Sequence, residues 1–309
     1  MEIANLEQPP FAATLMGCLK GASDYFGLDS SPAMLYGLTG HAFLINMHAE
    51  LEPSSPYVWM KSRFIQLLEG CGIRFTTHYD MLTNDTPESE RAAVERELKS
   101  AMEAGKLCMV NFLEHQLVAG FDGDGFIMLQ PWNGTAFSEI KSLSFGTWVQ
   151  CLKEAGWVSF TVLARSERRT PIRQAARDAI AYAYELFYHP VAYQAPGYRI
   201  GEGAYDNWIS GVKRGLGTGH GHWWNAQVWS ESRSRGSAFF GELAESAPGA
   251  EQECAALSHA FAAISEMIAK AGDRELPANQ QIELLTEAKR SEAAAISAMQ
   301  KLAASSLAG

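Results

Sequence analysis

The stretch Met-Gly-Cys-Leu-Lys-Gly-Ala-Ser-Asp-Tyr-Phe-Gly, residues 16–27, is the part of the sequence around which the rest can be placed. We expect a helix over residues 18–26 that Gly27 ends, with Cys18 in its first turn. The unpaired backbone N–H groups and the positive dipole end of a helix start favour a thiolate there. Because the thiolate is the nucleophilic form of cysteine, the stretch predicts a reactive Cys18.

His115 stands much later in the chain, at the head of an apolar run that continues to Phe121. A nucleophilic cysteine needs a base within hydrogen-bond reach, and the base needs a third group to orient its ring. We therefore predict that the fold brings Cys18 and His115 together, and that Gln130, after the next apolar strand, holds the imidazole. The alternatives are a buried core cysteine, a strand histidine satisfied by a backbone carbonyl, and a structural amide.

These residues resemble those of the papain-like superfamily, in particular C39-like, bacteriocin-processing peptidase domains. The resemblance is carried by Gly17-Cys18 at a helix start and by His115 followed by Val-Ala-Gly-Phe-Asp at 118–122. The sequence is more similar to the N-terminal domain of the butirosin-biosynthesis acyltransferase family, through Tyr-Gly-Leu-Thr-Gly-His-Ala-Phe at 36–43. The resemblance spans residues 12–165. It implies a papain-like fold and thiol chemistry that moves an acyl group from a carrier-protein thioester to an amine.

Two positions depart from the pattern of these families. Gln130 stands where the peptidases usually have Asp, and a neutral amide stabilises an imidazolium less than a carboxylate does. Ala12 stands where the family has a Gln that donates to the oxyanion. Since Gln8 is out of step with that position, we expect Thr14 or the Cys18 backbone N–H to supply the donor.

The first half of the chain reads as helices followed by strands. Helical patterns and caps predict helices over 32–37, 57–68 and 86–105. Apolar runs predict strands over 42–45, 73–77, 107–113, 116–121, 126–129 and 157–163. Asp-Gly-Asp-Gly at 122–125 is a hairpin signal, which we favour over a calcium loop. This order predicts an α+β fold, with N-terminal helices and a mostly antiparallel sheet in a papain-like domain over residues 1–165.

A charged linker around residues 165–171 precedes patterns that are helical to the end of the chain. The predicted helices cover 172–187, 203–212, 224–243, 251–270 and 279–304. They are amphipathic and rich in alanine, which is typical of a helical bundle. We therefore expect an α-helical domain over residues 170–309, with a glycine-rich loop over 215–224.

Three further residues are candidates for substrate binding, namely His41, Trp223 and Trp224. The two tryptophans end the glycine-rich loop. In that loop the spacing of His220 and His222 suits zinc or copper, but no third ligand is placed to help, so we expect no metal. The alternative to a metal site is a loop whose aromatic side chains pack over the junction of the two predicted domains. If that junction is the mouth of the cleft, Trp223 and Trp224 would form substrate-contacting walls. His41 either lines the cleft near Cys18 or caps its own loop.

Composition limits the environment and the partners. The net charge of −10 offers no basic stripe for nucleic acid. The N-terminus lacks the pattern of a signal peptide, and no run of about 18 apolar residues predicts a membrane span. Five cysteines without a CxxC pair do not form a disulfide framework. We expect a cytoplasmic protein with reduced thiols and no cofactor.

Taken together, the residues and the resemblance predict a cysteine-dependent acyltransferase or amide hydrolase that works through an acyl-thioester intermediate. Its substrate would be a small molecule or an acyl group on a carrier protein. The alternative is a papain-like scaffold without catalysis, which acts as a binding or assembly module. The sequence leaves a homo-oligomer open.

Overall fold

The structure is a computed structural model that describes residues 1–133 and 139–307. It contains two compact units, Met1–Ser30 with Gly72–Arg169, and Ser31–Cys71 with Thr170–Gly309. The predicted α+β class is confirmed. The division of the chain differs from the predicted domains 1–165 and 170–309, because residues 31–71 belong to the second unit and interrupt the first.

The elements are numbered along the chain. The strands are β1 (Asn46–His48), β2 (Ile73–Thr83), β3 (Leu107–Asn111), β4 (His115–Phe121), β5 (Gly125–Met128), β6 (Ser142–Ser144), β7 (Trp157–Arg165) and β8 (Tyr198–Ile200). The helices are α1 (Thr14–Tyr25), α2 (Pro32–Leu38), α3 (Ser62–Gly70), α4 (Glu88–Glu103), α5 (Val149–Glu154), α6 (Ile172–Tyr188), α7 (Glu202–Lys213), α8 (His220–Ser246), α9 (Glu251–Ala271) and α10 (Ala278–Ala304).

The first unit is built on an antiparallel sheet with the strand order β2-β7-β3-β4-β5-β6. The central strands β3, β4 and β7 carry the continuous apolar runs, as expected for strands that are buried on both faces. Helix α1 packs against β4, and α4 packs against β3. The predicted antiparallel sheet is therefore confirmed.

The turn at residues 122–125 joins β4 to β5 as the sequence predicts. The Asp122 carboxylate accepts hydrogen bonds from the backbone N–H groups of Asp124 and Gly125, at 2.8 and 3.0 Å. These two bonds lower the pKa of Asp122. The Asp122 side chain thus serves the hairpin.

The second unit contains α2, α3 and β1 because these elements contact its helices. Gly37 of α2 lies so close to Phe239 of α8 that a Cβ at position 37 would be 2.1 Å from that ring. Strand β1 pairs with β8. Such contacts join segments that are far apart in sequence, so no local pattern places residues 31–71 outside the first unit.

The expected buried strand over Ala42–Ile45 is wrong. Residues His41–Phe43 form a single 3₁₀ turn, and β1 begins only at Asn46. The Arg233 guanidinium binds the carbonyl oxygens of Ala42 and Leu44, at 3.3 and 2.5 Å, so these groups are satisfied without a strand partner. The apolar run is buried against α8 and α9 rather than in a sheet.

The glycine-rich loop is shorter than predicted, since α8 already begins at His220. The predicted helix over 57–68 begins later than expected, at Ser62. The remaining predicted helices of the second unit agree with the structure to within a few residues, and α9 packs against both α8 and α10. In the part of the chain that the structure describes, none of the helices combines the length and apolarity needed to cross a membrane.

Candidate functional site around His115

Helix α1 begins at Thr14, so the expectation that it begins at Cys18 is wrong. Cys18 lies in the second turn, where backbone N–H groups are already bonded within the helix. The dipole effect is concentrated in the first turn and is weaker there. Cys18 therefore does not gain the stabilisation of a thiolate that a helix start would provide.

Two glycines of α1 allow the N-terminal segment to cross the helix closely. A Cβ on Gly17 would lie 2.8 Å from the Pro9 carbonyl oxygen, and a Cβ on Gly21 would lie 2.1 Å from that of Glu7. Any larger side chain at either position would push this segment away. The two glycines thus fix residues 7–9 against α1.

Gln8, which lies in this segment, ties it to β4. Its Nε2 donates to the His115 carbonyl oxygen at 2.9 Å, and its Oε1 accepts from the Leu117 N–H at 2.8 Å. The amide therefore acts like a short piece of paired strand along β4. Gln8 is thus a structural link, and the position of the oxyanion-donating Gln in the families that this sequence resembles is occupied by Ala12.

Thr14 connects α1 to the start of β4 through one oxygen atom. Its Oγ1 donates to Glu114 Oε2 at 2.8 Å and accepts from the His115 backbone N–H at 3.0 Å. The same oxygen lies 3.4 Å from Nδ1 of the His115 ring. All three residues are buried. Because a hydroxyl has a single hydrogen, Thr14 is not an oxyanion donor while it serves Glu114.

Glu114 is a site residue, although the alternation of a strand over 113–116 would place its side chain on the face opposite that of His115. In the structure, Phe112–Glu114 form the bend between β3 and β4, so alternation does not apply. Glu114 is only 8% exposed, and its carboxylate faces Thr14.

Cys18 follows Thr14 by four residues, so both side chains project from the same face of α1. Burial and then the negative charge of Glu114 raise the pKa of the Cys18 thiol well above its usual value, and the thiol stays protonated at neutral pH. The side chain has no solvent exposure. Within residues 1–133 and 139–307, the thiol forms no hydrogen bond with the His115 ring.

Gln130 is half-buried just beyond the end of β5. Its carbonyl oxygen accepts from the Asn133 N–H at 3.0 Å, and no hydrogen bond of the described residues joins its side chain to His115. Gln116 instead links the neighbouring segments, by bonding to Leu129 and Ile140. Thr14, one turn before Cys18 on α1, thus contacts His115, whereas the structure does not show Gln130 holding the imidazole.

His41 belongs to the second unit and is 2% exposed. Burial, followed by the positive charges of Arg233 and Lys61, lowers the pKa of His41 to about 3. Its ring lies 5.3 Å from that of Tyr36 and 6.3 Å from that of Trp229, measured between centroids. His41 is therefore a neutral ring in an aromatic core.

The His-Gly-His-Trp-Trp segment forms the first turns of α8. Trp208 Nε1 donates to His222 Nδ1 at 2.8 Å, so His222 Nε2 carries the hydrogen and donates to the Ala271 carbonyl oxygen at 2.8 Å. Both nitrogens of this buried ring are thus used by the fold. Trp223 is half-buried and lies beside the Arg274 guanidinium at 5.8 Å.

Trp224, also half-buried, donates from its Nε1 to the Tyr57 hydroxyl at 3.2 Å. The substrate-wall role of both tryptophans stays a prediction. Among the described residues, no group of three or more His, Cys, Asp and Glu side chains is placed to hold a metal ion. In comparisons with known proteins, no protein-family model and no curated protein matched the chain.

Proposed function

We propose that the first unit is a papain-like domain and that this protein is a cysteine-dependent acyltransferase or amide hydrolase. The observation that carries the proposal is the contact of Thr14 with His115, because Cys18 lies one turn further along the same face of α1. The order of the parts supports it too. A cysteine on an early helix and a histidine at the start of an antiparallel strand resemble the papain-like and butirosin-acyltransferase families.

The chemistry requires only a thiol and a base. The Cys18 Sγ attacks the carbonyl carbon of the acyl donor while the thiol proton passes to His115. A C–S bond forms, the bond to the leaving thiol or amine breaks, and the leaving group takes the proton from the imidazolium. An acceptor amine or water then gives a proton to His115 and attacks the thioester, and Cys18 recovers its proton as it leaves.

The burial of Cys18 favours a particular version of this chemistry. A raised pKa leaves the thiol protonated at rest, so the proton must leave during the attack rather than before it. We propose transfer to an amine ahead of hydrolysis, with a small molecule or a carrier-bound acyl group as the donor.

Intact-mass spectrometry tests the proposal. We expect the full-length protein to gain one acetyl group when it is incubated with the acetyl thioester of N-acetylcysteamine, and peptide mapping to place that group on Cys18. Cys18→Ala should abolish the adduct. Cys108→Ala is the matched control, since Cys108 is equally buried in the same unit and should not affect labelling. An adduct that persists in Cys18→Ala would overturn the proposal.

A second candidate function is a binding or assembly module without catalysis. The complete burial of Cys18 and the upward shift of its pKa favour it, since both are typical of a core cysteine. In that case no acyl thioester modifies Cys18. Cys18→Ala would then leave a folded protein whose only defect is the small loss of stability expected for a buried thiol.

A further inference from the structure

The His115 ring is held by a chain of three buried groups that begins at a carboxylate. Glu114 accepts the hydroxyl hydrogen of Thr14, and the Thr14 oxygen faces Nδ1 of His115. We propose that Thr14 is the positioning residue of the site, and that it fixes His115 in the tautomer that carries its hydrogen on Nδ1. The inference rests on the proposed function for its catalytic meaning, but its geometry stands by itself.

The hydrogen positions follow from counting donors. An ionised carboxylate only accepts, so the hydrogen of the 2.8 Å contact between Thr14 Oγ1 and Glu114 Oε2 comes from the hydroxyl. Thr14 Oγ1 can then only accept from its other neighbours. One neighbour is the His115 backbone N–H at 3.0 Å, and the other is Nδ1 at 3.4 Å. Nδ1 must therefore carry a hydrogen to make a favourable contact.

This assignment leaves Nε2 as the basic nitrogen of the neutral ring. In the proposed reaction, Nε2 is then the atom that receives the Cys18 proton. The backbone N–H and the ring of His115 meet the same oxygen, so the position of the ring is coupled to that of the chain at the start of β4. Glu114 also favours the imidazolium that forms during the attack, because an opposite charge stabilises it through the hydroxyl.

The arrangement takes over the task expected of Gln130. Thr14 is the first residue of α1, and Glu114 lies beside His115, far from Thr14 in sequence. Only the packing of α1 on β4 brings the two together. A purely structural Thr14 would anchor the bend at Glu114 without affecting the ring. If Thr14 is a positioning residue, removing its hydroxyl moves the hydrogen of the neutral His115 ring from Nδ1 to Nε2. If Thr14 is purely structural, the tautomer does not change.

Long-range proton–nitrogen NMR spectra of protein labelled with ¹⁵N-histidine read the tautomer directly. Spectra are recorded above the pH at which the ring protonates, and His115→Gln assigns the signals by their loss. We expect the Nδ1–H form in the wild-type protein and in Thr14→Ser. Thr14→Val should move the ring towards the Nε2–H form. Glu114→Leu should do the same, because the freed Thr14 hydroxyl can then donate to Nδ1.

The rate of Cys18 acetylation separates this inference from the proposed function. We expect Thr14→Val to slow the reaction at least tenfold and Thr14→Ser to remain within threefold of wild type. An Nε2–H ring in the wild-type protein, or an Nδ1–H ring that is retained in both Thr14→Val and Glu114→Leu, overturns the positioning role. If the tautomers change as expected but no variant is acetylated, the positioning role stands and the proposed function fails. Circular dichroism identifies any variant that does not fold.

Discussion

The strongest test of the second unit's core concerns a buried ion pair between α8 and α10. Arg233 and Glu292 have no solvent exposure, and the guanidinium makes two hydrogen bonds to the carboxylate, at 3.1 and 2.5 Å. The Tyr205 hydroxyl donates to the same carboxylate at 2.6 Å. Glu292→Gln keeps the shape of the side chain and an acceptor for Tyr205. It leaves the charge of Arg233 without a counter-charge.

The expected cost follows from that burial. Removing one partner of a buried pair costs about 3–5 kcal/mol, because the remaining charge stays desolvated. Arg233→Met should lower the free energy of unfolding by a similar amount. It leaves the Glu292 charge unpaired, and it removes the donor to the carbonyl groups that the guanidinium binds. The double variant should lose about 2–3 kcal/mol less than the sum of the two single losses, because the groups interact directly.

Urea unfolding, followed by tryptophan fluorescence, measures these losses in the second unit, where Trp208 and Trp229 are fully buried. Arg290→Gln is the matched control on α10, because its pairing with Glu287 is exposed and should contribute little. A loss below about 1 kcal/mol for Glu292→Gln, or additive single and double losses, would refute the reasoning.

Two further predictions concern a crowded helical glycine and the buried His41. Gly21→Ala should lower the free energy of unfolding by about 1–3 kcal/mol, because its Cβ would meet the Glu7 carbonyl oxygen. Gly241→Ala, in an open helical position, should raise it by up to about 1 kcal/mol. His41 has a pKa of about 3 in the folded protein and 6.5 as its ordinary value. Its contribution to stability is thus complete above pH 6.5 and is lost as the pH falls towards 3. Between pH 6.0 and 4.5 the loss due to His41 is about 2 kcal/mol, which urea unfolding of His41→Phe should not show.

Local signals in the sequence predicted most of the elements. Ser31 caps α2, since its Oγ accepts from the Met34 N–H at 3.0 Å, and Pro32 follows in the first turn. The Asp-Gly turn joins β4 to β5, and the apolar runs became β3, β4 and β7. These features depend on a few neighbouring residues, so their chemistry is readable before the fold is known.

What the sequence did not predict depends on contacts between distant segments. The close approach of Gly37 to Phe239 places residues 31–71 in the second unit, and no local pattern announces it. In the same way, the bend before β4 turns Glu114 towards Thr14, although a strand pattern would turn it away. The burial of Cys18, which raises the pKa of its thiol, likewise depends on the packing around α1 rather than on the helix start.

The central claim is that Cys18 and His115 act as one thiol–imidazole pair. Its most direct test is the rate at which an acetyl thioester modifies Cys18 in the wild-type protein and in His115→Gln, measured by intact mass from pH 6 to 8. We predict a fall of at least about a hundredfold in His115→Gln at every pH, the usual contribution of a general base. Equal rates in the two proteins would contradict the account.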